Sequence, residues 1–435
     1  MTLRLASPAV LAIYWLALGS YACSDDSAIF TDTGGSNGSG SGTGGSGSSA
    51  GSGGSASGGG SKNDAGKANG GAQSLGGSSA GTSGTAGSAP KGGSPPVACD
   101  TPPSAAPEMK WVNATGNLAG MQSECGNLGL VSAQPCSPRI IAGVAQKGLW
   151  ASVDGGKSWQ ALGTAAGSDE ITNRISAIVY DPQDPKIFWE SGIYNGGCVY
   201  KTTDSGTSFE QLGDISHCDS VSVDLSDPER QTLLAGGHET NNPLHKSTDG
   251  GKSWSNIAAG LPDGYCTATQ VIDAMTFLVG CNSGSIMRST TGGSNWEKAA
   301  GSDGGTFQPL AASDGTIYWP GSNGGVAKSE DQGKTFTSVA DSNTAPTIIA
   351  PAQLAELPDG RIVINGQDHL LASADKGKTW KPIGAALPFP GGGFEGTHGL
   401  AYSAQTKTFF VWRWDCSNNV PADAIMSMGF DWETQ

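Results

Sequence analysis

The chain has 435 residues, of which 68 are glycine and only 14% are charged, and its formal net charge is −15 at pH 7. This acidic balance leaves no basic surface to neutralise phosphates, so it excludes nucleic acid as an expected partner and excludes electrostatic binding to an anionic membrane. Abundant glycine with few charged residues favours short strands and tight turns.

The first 22 residues are typical of an export signal. Arg4 precedes the apolar stretch Leu5–Leu18, which is too short for a membrane-spanning helix and is followed by small residues. The segment Gly-Ser-Tyr-Ala-Cys-Ser around Cys23 resembles a bacterial lipobox. The resemblance implies removal of residues 1–22, a lipid on Cys23 as the only attachment to a membrane, and a place on the outer-membrane surface. The alternative is ordinary secretion, with Cys23 as a spare thiol.

Residues 23–98 are predicted to form a linker. From Gly34 to Pro96 the sequence consists almost entirely of Gly, Ser, Ala and Thr. Such a composition buries too little apolar surface to offset the entropy of an ordered chain, and a Gly-rich coil of this length has a reach of about 45 Å. We therefore expect a single folded domain over residues 99–435.

Six segments of the folded region follow the pattern Ser/Thr-x-Asp-x-Gly-x-(Ser/Thr/Asn)-(Trp/Phe), five of them with the Asp, and we call them the box turns. They begin at Ser152, Thr202, Ser247, Ser289, Ser329 and Ser373. They resemble the Asp-box, or bacterial neuraminidase repeat. In this repeat the carboxylate accepts N–H bonds across a hairpin turn, so we expect a structural and not a catalytic role for Asp154, Asp204, Asp249, Asp331 and Asp375. Thr291 replaces the Asp in the fourth box turn.

The same sequence of four strands recurs around each box turn, which predicts one propeller blade per repeat. After the last box turn, Thr408–Trp412 and Ala424–Met428 predict two strands of a seventh blade. The stretch Lys110–Leu118 resembles the strand that follows a box turn, so it is expected to complete that blade. The predicted fold is all-β, a single seven-bladed β-propeller closed by its N-terminal strand.

Eight cysteines remain in the folded region, an even number that suits a compartment where disulfides persist. Their places on the predicted propeller pair Cys198 with Cys218, Cys266 with Cys281, Cys125 with Cys416 across the closure, and Cys99 with Cys136. No Cys-x-x-Cys spacing occurs, so we expect neither a metal site nor a cofactor.

Ligands are expected on the top face, which we define by the loops that connect blades and the loops between the second and third strands of a blade. Polar and aromatic residues there suit stacking and hydrogen bonding to sugars. The main candidates are Glu190, Tyr194, His238, Glu239, Asp368, His369, Arg413 and Trp414, within a wider set that includes Arg174, His217, Asp219 and His398.

Sialidases and xyloglucan-cleaving glycosidases share the repeat, and their motifs can be compared with this sequence. The sialidase Phe-Arg-Ile-Pro motif finds only Pro138–Ile141, which shares Arg-Ile. The xyloglucan-cleaving enzymes have two propellers and a catalytic Asp before a Gly pair in the first blade, where this chain has Ala142–Trp150 with no carboxylate.

No catalytic residue is therefore assigned from the sequence. Sortilin-type receptors and photosystem assembly factors use the same repeat to bind proteins, and fold alone does not choose among these uses. We expect a monomeric binding module for glycan or protein ligands rather than an enzyme. The alternative is an extracellular glycoside hydrolase of the sialidase or xyloglucanase type.

Overall fold

The computed structural model describes residues 99, 102–238, 243–302, 305–321, 324–340, 353–391 and 396–435. The predicted signal peptide, the lipid site at Cys23 and the linker lie outside the described residues. Within the described ranges, no helix is long and apolar enough to cross a membrane.

The described residues form seven antiparallel sheets of four strands each. Blade 1 contains β2 (Leu128–Ala133), β3 (Ile140–Val144), β4 (Gly148–Ser152) and β5 (Gln160–Ala161). Blade 2 contains β6 (Arg174–Tyr180), β7 (Phe188–Ile193), β8 (Val199–Thr202) and β9 (Glu210–Gln211). Blade 3 contains β10 (Cys218–Val223), β11 (Leu233–Gly237), β12 (Leu244–Ser247) and β13 (Ser255–Asn256).

The second half of the ring repeats this order. Blade 4 contains β14 (Cys266–Val271), β15 (Phe277–Cys281), β16 (Ile286–Ser289) and β17 (Glu297–Lys298). Blade 5 contains β18 (Leu310–Ala311), β19 (Ile317–Pro320), β20 (Val326–Ser329) and β21 (Thr337–Ala340). Blade 6 contains β22 (Leu354–Glu356), β23 (Ile362–Asn365), β24 (Leu370–Ser373) and β25 (Lys381–Ile383). Blade 7 contains β26 (Gly399–Ser403), β27 (Thr408–Trp412), β28 (Ile425–Gly429) and the N-terminal strand β1 (Val112–Asn113).

The ring closes inside blade 7. Strand β1 pairs antiparallel with β28, with Val112 opposite Ser427 and Asn113 opposite Met426. A short 3-10 helix at Gly116–Leu118 then leads toward blade 1. The prediction of an all-β, seven-bladed propeller closed by its N-terminal strand is confirmed. Closure through the shared blade pairs β28 with β1, and the sheet edges that remain in a propeller are short and protected.

Each blade packs face to face against its neighbours, and the aromatic residue of a box turn joins adjacent blades. The Trp159 indole is 3% exposed and donates its N–H to the carbonyl oxygen of Ala114 at 3.1 Å, next to the closing strand. The Trp254 indole N–H binds the Leu212 carbonyl of the preceding blade at 2.9 Å. Each indole therefore buries apolar area and satisfies its polar atom across a blade interface.

The box-turn carboxylates accept hydrogen bonds within their own turns. Asp154 accepts the backbone N–H of Ser158 at 3.0 Å and its hydroxyl at 2.6 Å. These bonds hold the pKa of Asp154 down at about 2, and the pKa of Asp249 is about 2 for the same reason, with Ser253 as the donor. These carboxylates therefore stabilise the turns between the third and fourth strands of their blades.

Four disulfide bonds join the cysteine pairs that the sequence analysis proposed. They are Cys99–Cys136, Cys125–Cys416, Cys198–Cys218 and Cys266–Cys281. The second of these links residues 291 positions apart, across the closure between blade 7 and blade 1.

Candidate functional site

The top face carries a connected group of polar and aromatic side chains from blades 1, 2, 3 and 7, which we call the top-face cluster. It consists of Glu124, Arg174, Tyr194, Asp219, His238 and Trp414. Arg174 begins the inner strand of blade 2, and Tyr194 follows directly after β7 of the same blade. Inner-strand starts and the loops after second strands meet at this face, so the fold assembles side chains that lie far apart in sequence.

Tyr194, His238 and Asp219 form a hydrogen-bonded row. The Tyr194 hydroxyl lies 3.0 Å from His238 Nε2, and His238 Nδ1 lies 2.9 Å from Asp219 Oδ1. The register of β10 shifts between Cys218 and Ser220, so Asp219 occupies a bulge, a device that redirects a side chain. A carboxylate at Nδ1 favours the tautomer whose Nε2 accepts a hydrogen bond from the Tyr194 hydroxyl.

Arg174 lies at the centre of the cluster. Its guanidinium carbon is 4.7 Å from the Tyr194 ring centroid and 6.0 Å from that of Trp414, and its Nε is 3.8 Å from Glu124 Oε1. A β-carbon at Gly126 would approach the guanidinium to 2.8 Å, and Gly126 also has a positive φ of 75°. The glycine therefore allows the arginine to lie flat against the chain here.

Glu124 is held by neutral donors as well as by Arg174. The amide of Gln146 donates to Glu124 Oε2 at 2.7 Å, and the amide of Asn195 donates to the same oxygen at 2.9 Å. The Glu124 side chain is 21% exposed, so it is partly buried, and its Oε1 is shielded from solvent.

Trp414 extends the cluster toward blade 7. Its indole N–H donates to His398 Nδ1, and the two rings meet edge to face with centroids 4.9 Å apart. Burial lowers the pKa of His398 to about 3, so the imidazole is neutral and can accept this bond. Nearby, Arg413 pairs with Asp423 and covers the Phe389 ring at 5.2 Å.

Glu190 requires a correction, because the prediction placed it among ligand-facing side chains. The residue is in the middle of β7 and is fully buried between blades. The Asn173 amide donates to one carboxyl oxygen at 3.2 Å. Burial raises the pKa of Glu190 to about 8. The sequence missed this because a strand of six buried residues gives no sign of which polar side chain points inward.

The other predicted residues divide between the cluster and its surroundings. Tyr194, His238 and Trp414 belong to the cluster, and Arg413 is close to Trp414 in sequence. Asp368 and His369 form a pair at 3.2 Å on blade 6, with the aspartate side chain 72% exposed. Glu239 lies outside the described residues.

Glu124 and Gln146 were missed by the sequence analysis, although Arg174 and Asp219 were in its wider set. Glu124 immediately precedes Cys125, whose bridge to Cys416 fixes the closure. Its position next to Cys125 is the sequence signal that could have identified Glu124. Among the described residues, no group of three His, Cys, Asp or Glu side chains could hold a metal ion.

The sequence is similar to a xyloglucanase of Hypocrea jecorina, with 25% identity over 328 residues. The alignment covers 58% of this chain and 37% of the xyloglucanase, so the chain spans well under half of that relative. No protein-family model matches the chain.

Solved structures show the same fold. A GH74 enzyme of Niastella koreensis superposes with a TM-score of 0.52 at 18% identity, covering 72% of this chain and 53% of that enzyme. The extracellular domain assigned to a hybrid two component system of B. thetaiotaomicron superposes with a TM-score of 0.50 at 11% identity, covering 70% of this chain and 40% of that domain. At these identities the likeness concerns the fold.

Proposed function

We propose that the chain is an exported glycoside hydrolase that acts on a xyloglucan-type β-glucan at the top-face cluster. The observation that carries the proposal is the 25% identity to a xyloglucanase. A partly exposed carboxylate, Glu124, also lies at the first blade, within hydrogen-bonding distance of Gln146. This reverses the order of the two functions expected from the sequence, because the similarity favours the hydrolase over the binding module.

The carboxylate of the first blade comes from Glu124 in this proposal. Ala142–Trp150 matches the segment in which xyloglucan-cleaving enzymes carry Asp, and it contains no carboxylate. The turn inside that segment contains Gln146, whose amide binds Glu124 Oε2 at 2.7 Å. A carboxylate thus stands beside the matching turn, although it is supplied by a residue 22 positions earlier in the chain.

Asp219 is the second carboxylate of the proposed site. Glycoside hydrolysis generally uses two carboxyl groups, one to protonate the leaving oxygen and one to activate water or attack the sugar. Asp219 is bonded to His238, and its side chain is 27% exposed. A series of contacts through Arg174, Tyr194 and His238 connects Glu124 with Asp219.

Aromatic rings provide the sugar-binding surface. The ring centroids of Tyr194 and Trp414 lie 4.7 and 6.0 Å from the guanidinium carbon of Arg174. Faces of aromatic rings pack against the apolar faces of sugars, while the neighbouring amides and carboxylates bind hydroxyl groups.

A second candidate function is glycan binding without hydrolysis. One observation favours it: both acids already have strong partners, because Glu124 accepts two amide hydrogen bonds and Asp219 binds His238. With either function, the four disulfide bonds suit an exported protein. A lipid on Cys23 would tether the propeller to the outer membrane, and Cys23→Ser should then release the protein into the medium.

The test is release of reducing ends from xyloglucan, with binding to the same polymer measured in parallel. We expect wild-type turnover and a loss of at least about 100-fold in Glu124→Gln and in Asp219→Asn, the usual size of an acid-base contribution. Asp263→Asn is the matched control, an exposed carboxylate in the loop that connects blades 3 and 4. Retention of xyloglucan without turnover would replace the hydrolase by the binding module, and absence of both would refute both functions.

A further inference from the structure

The fourth box turn departs from the repeat without losing its shape. It carries Thr291 where the five other box turns carry Asp. The Thr291 hydroxyl oxygen accepts the backbone N–H of Asn295 at 2.9 Å, which is the bond that the carboxylate accepts elsewhere. The turn therefore keeps its structural hydrogen bond and has no negative charge.

Blade 5 provides an internal comparison one repeat later. Its box turn begins Ser329-Glu330-Asp331, and the preceding Lys328 pairs with Glu330 at 3.3 Å. The equivalent residues of blade 4 are Arg288, Thr290 and Thr291. Blade 4 thus keeps the cation of this arrangement and lacks both acids.

Three cations surround the fourth box turn, and none has an ion-pair partner among the described residues. They are Arg288, Lys298 and Lys334. The Arg288 Nε donates to the carbonyl oxygen of Gln332 at 3.0 Å, which holds the side chain in position beside blade 5. An excess of positive charge here is notable in a chain whose formal net charge is −15.

These cations line a cavity of about 570 Å³ that includes the fourth box turn and part of the loop connecting blades 3 and 4. Within the described part of the chain, its lining shares no residue with the top-face cluster. Glu297 is its only acidic lining residue in the described part of the chain, and the hydroxyl of Thr290 and the amide of Asn295 add neutral hydrogen-bonding groups. Ala259 and Gly260 of blade 3 form an uncharged wall. The volume is within the range of small-molecule sites, so the cavity can accept a group larger than a single ion.

We propose that this cavity, which we call the blade 4 site, binds an oxyanion group, carboxylate or sulfate, carried on an acidic saccharide. Arg288 offers a planar pair of N–H donors to such a group, and Lys298 and Lys334 add positive charge. The oxyanion specificity follows from the residues that line the cavity. The choice of a saccharide as the carrier rests on the proposed function.

The consequence is a protein with two separate contacts to polysaccharide. The blade 4 site would hold an acidic chain while the top-face cluster remains free for a neutral one. When one contact is made, the local concentration of the second polysaccharide ligand rises. Even weak binding at the blade 4 site would therefore increase retention of the protein on the polysaccharide.

The sharpest variant is Thr291→Asp, which restores the repeat. The added carboxylate fits the turn as Asp331 does in blade 5, so the fold is preserved while the site gains a negative charge beside its cations. Arg288→Gln instead removes the principal hydrogen-bond donor and its positive charge. Lys328→Gln, the equivalent position of blade 5, is the matched control because that cation is already paired with Glu330.

The measurement is calorimetric titration of the full exported chain with galacturonate oligomers, with inorganic sulfate, and with neutral cello-oligosaccharides. We expect salt-sensitive binding of the uronate oligomer and of sulfate, no comparable binding of the neutral sugar at this site, and affinity weakened by about tenfold or more in Thr291→Asp and Arg288→Gln. Lys328→Gln should bind as the wild type does.

Each other outcome overturns a stated part of the inference. Unchanged affinity in Thr291→Asp would refute the blade 4 site, as would absence of binding to both uronate and sulfate. Sulfate binding without uronate binding would refute a carboxylate-bearing saccharide as the ligand. Xyloglucan turnover serves as an independent readout, because Thr291→Asp should leave it unchanged whether or not the blade 4 site exists.

Discussion

Removing the disulfide across the closure should destabilise this propeller more than removing a disulfide within a blade. The bond joins Cys125 to Cys416, residues 291 positions apart, whereas Cys266 and Cys281 are 15 positions apart on paired strands. In the chain-entropy model a cross-link stabilises the native state by restricting the unfolded chain, and the effect grows with the logarithm of loop length. The model gives about 6 kcal/mol for the closure bond and about 3 kcal/mol for the bond in blade 4.

Hydrogen bonds at the closure should preserve the ring in the absence of the disulfide. The Asn127 amide donates to Asp415 Oδ1 at 2.8 Å and to the Asn419 carbonyl at 2.9 Å. The Gly126 N–H binds the Asp415 carbonyl at 2.8 Å. The double variant Cys125→Ala/Cys416→Ala is therefore expected to fold normally and to lose free energy mainly through a less restricted unfolded state.

Equilibrium urea unfolding of the oxidised proteins measures this difference. The closure variant should lose more unfolding free energy than Cys266→Ala/Cys281→Ala, by about 3 kcal/mol in the chain-entropy model. Near-ultraviolet circular dichroism checks that both variants retain native packing. Equal losses in the two variants, or a larger loss in blade 4, would show that local packing and not loop length determines the contribution of these bonds.

Three further predictions concern single side chains. Trp159→Ala should lower the free energy of unfolding in urea by about 3–5 kcal/mol, because a large buried ring is removed beside the closing strand, and Trp159→Phe should cost clearly less. Burial raises the pKa of Glu190 to about 8. The contribution of its protonated form to the free energy of unfolding is therefore fully present below the ordinary pKa of 4.5 and is lost as pH rises through 8. Glu190→Gln should flatten the pH dependence of unfolding over that window, by at most about 5 kcal/mol, and an unchanged profile would contradict the assignment. The pKa of Asp249 is lowered from 3.8 to about 2, chiefly by the Ser253 hydroxyl, so its contribution is present above 3.8 and is lost as pH falls through 2. Asp249→Asn should therefore weaken the acid dependence of unfolding between these values, as measured by fluorescence during acid titration.

The fold could be predicted because its information is local and repeated. Each box turn specifies a hairpin through one acceptor, one glycine and one aromatic ring, and six copies determine the number of strands between them. The closing strand was predictable for the same reason, since Lys110–Leu118 resembles the strands that follow other box turns. The disulfide pairing then followed from the places of the cysteines on that propeller.

The candidate site was only partly predictable, because its contacts join loops from different blades. Tyr194 and His238 could be assigned to one face, but their hydrogen bond depends on the register of two blades. Glu124 could not be connected with Gln146, since neither residue belongs to a recognised motif. Glu190 was misplaced because strand periodicity predicts which residues share a face and does not reveal that both faces of β7 are covered.

The departures from the repeat carry more functional information than the repeat itself. In a box turn that keeps the repeat pattern, the Asp has a structural role: Asp331 accepts the Thr335 N–H, and the neighbouring Lys328 pairs with Glu330. At Thr291 the same hydrogen bond persists while the charge is lost, so turn geometry does not account for the substitution. With Thr291 in that place, the fourth box turn adds no carboxylate to the cavity that Arg288, Lys298 and Lys334 line. On this argument, the position where the repeat omits its acid is where the scaffold has gained a site.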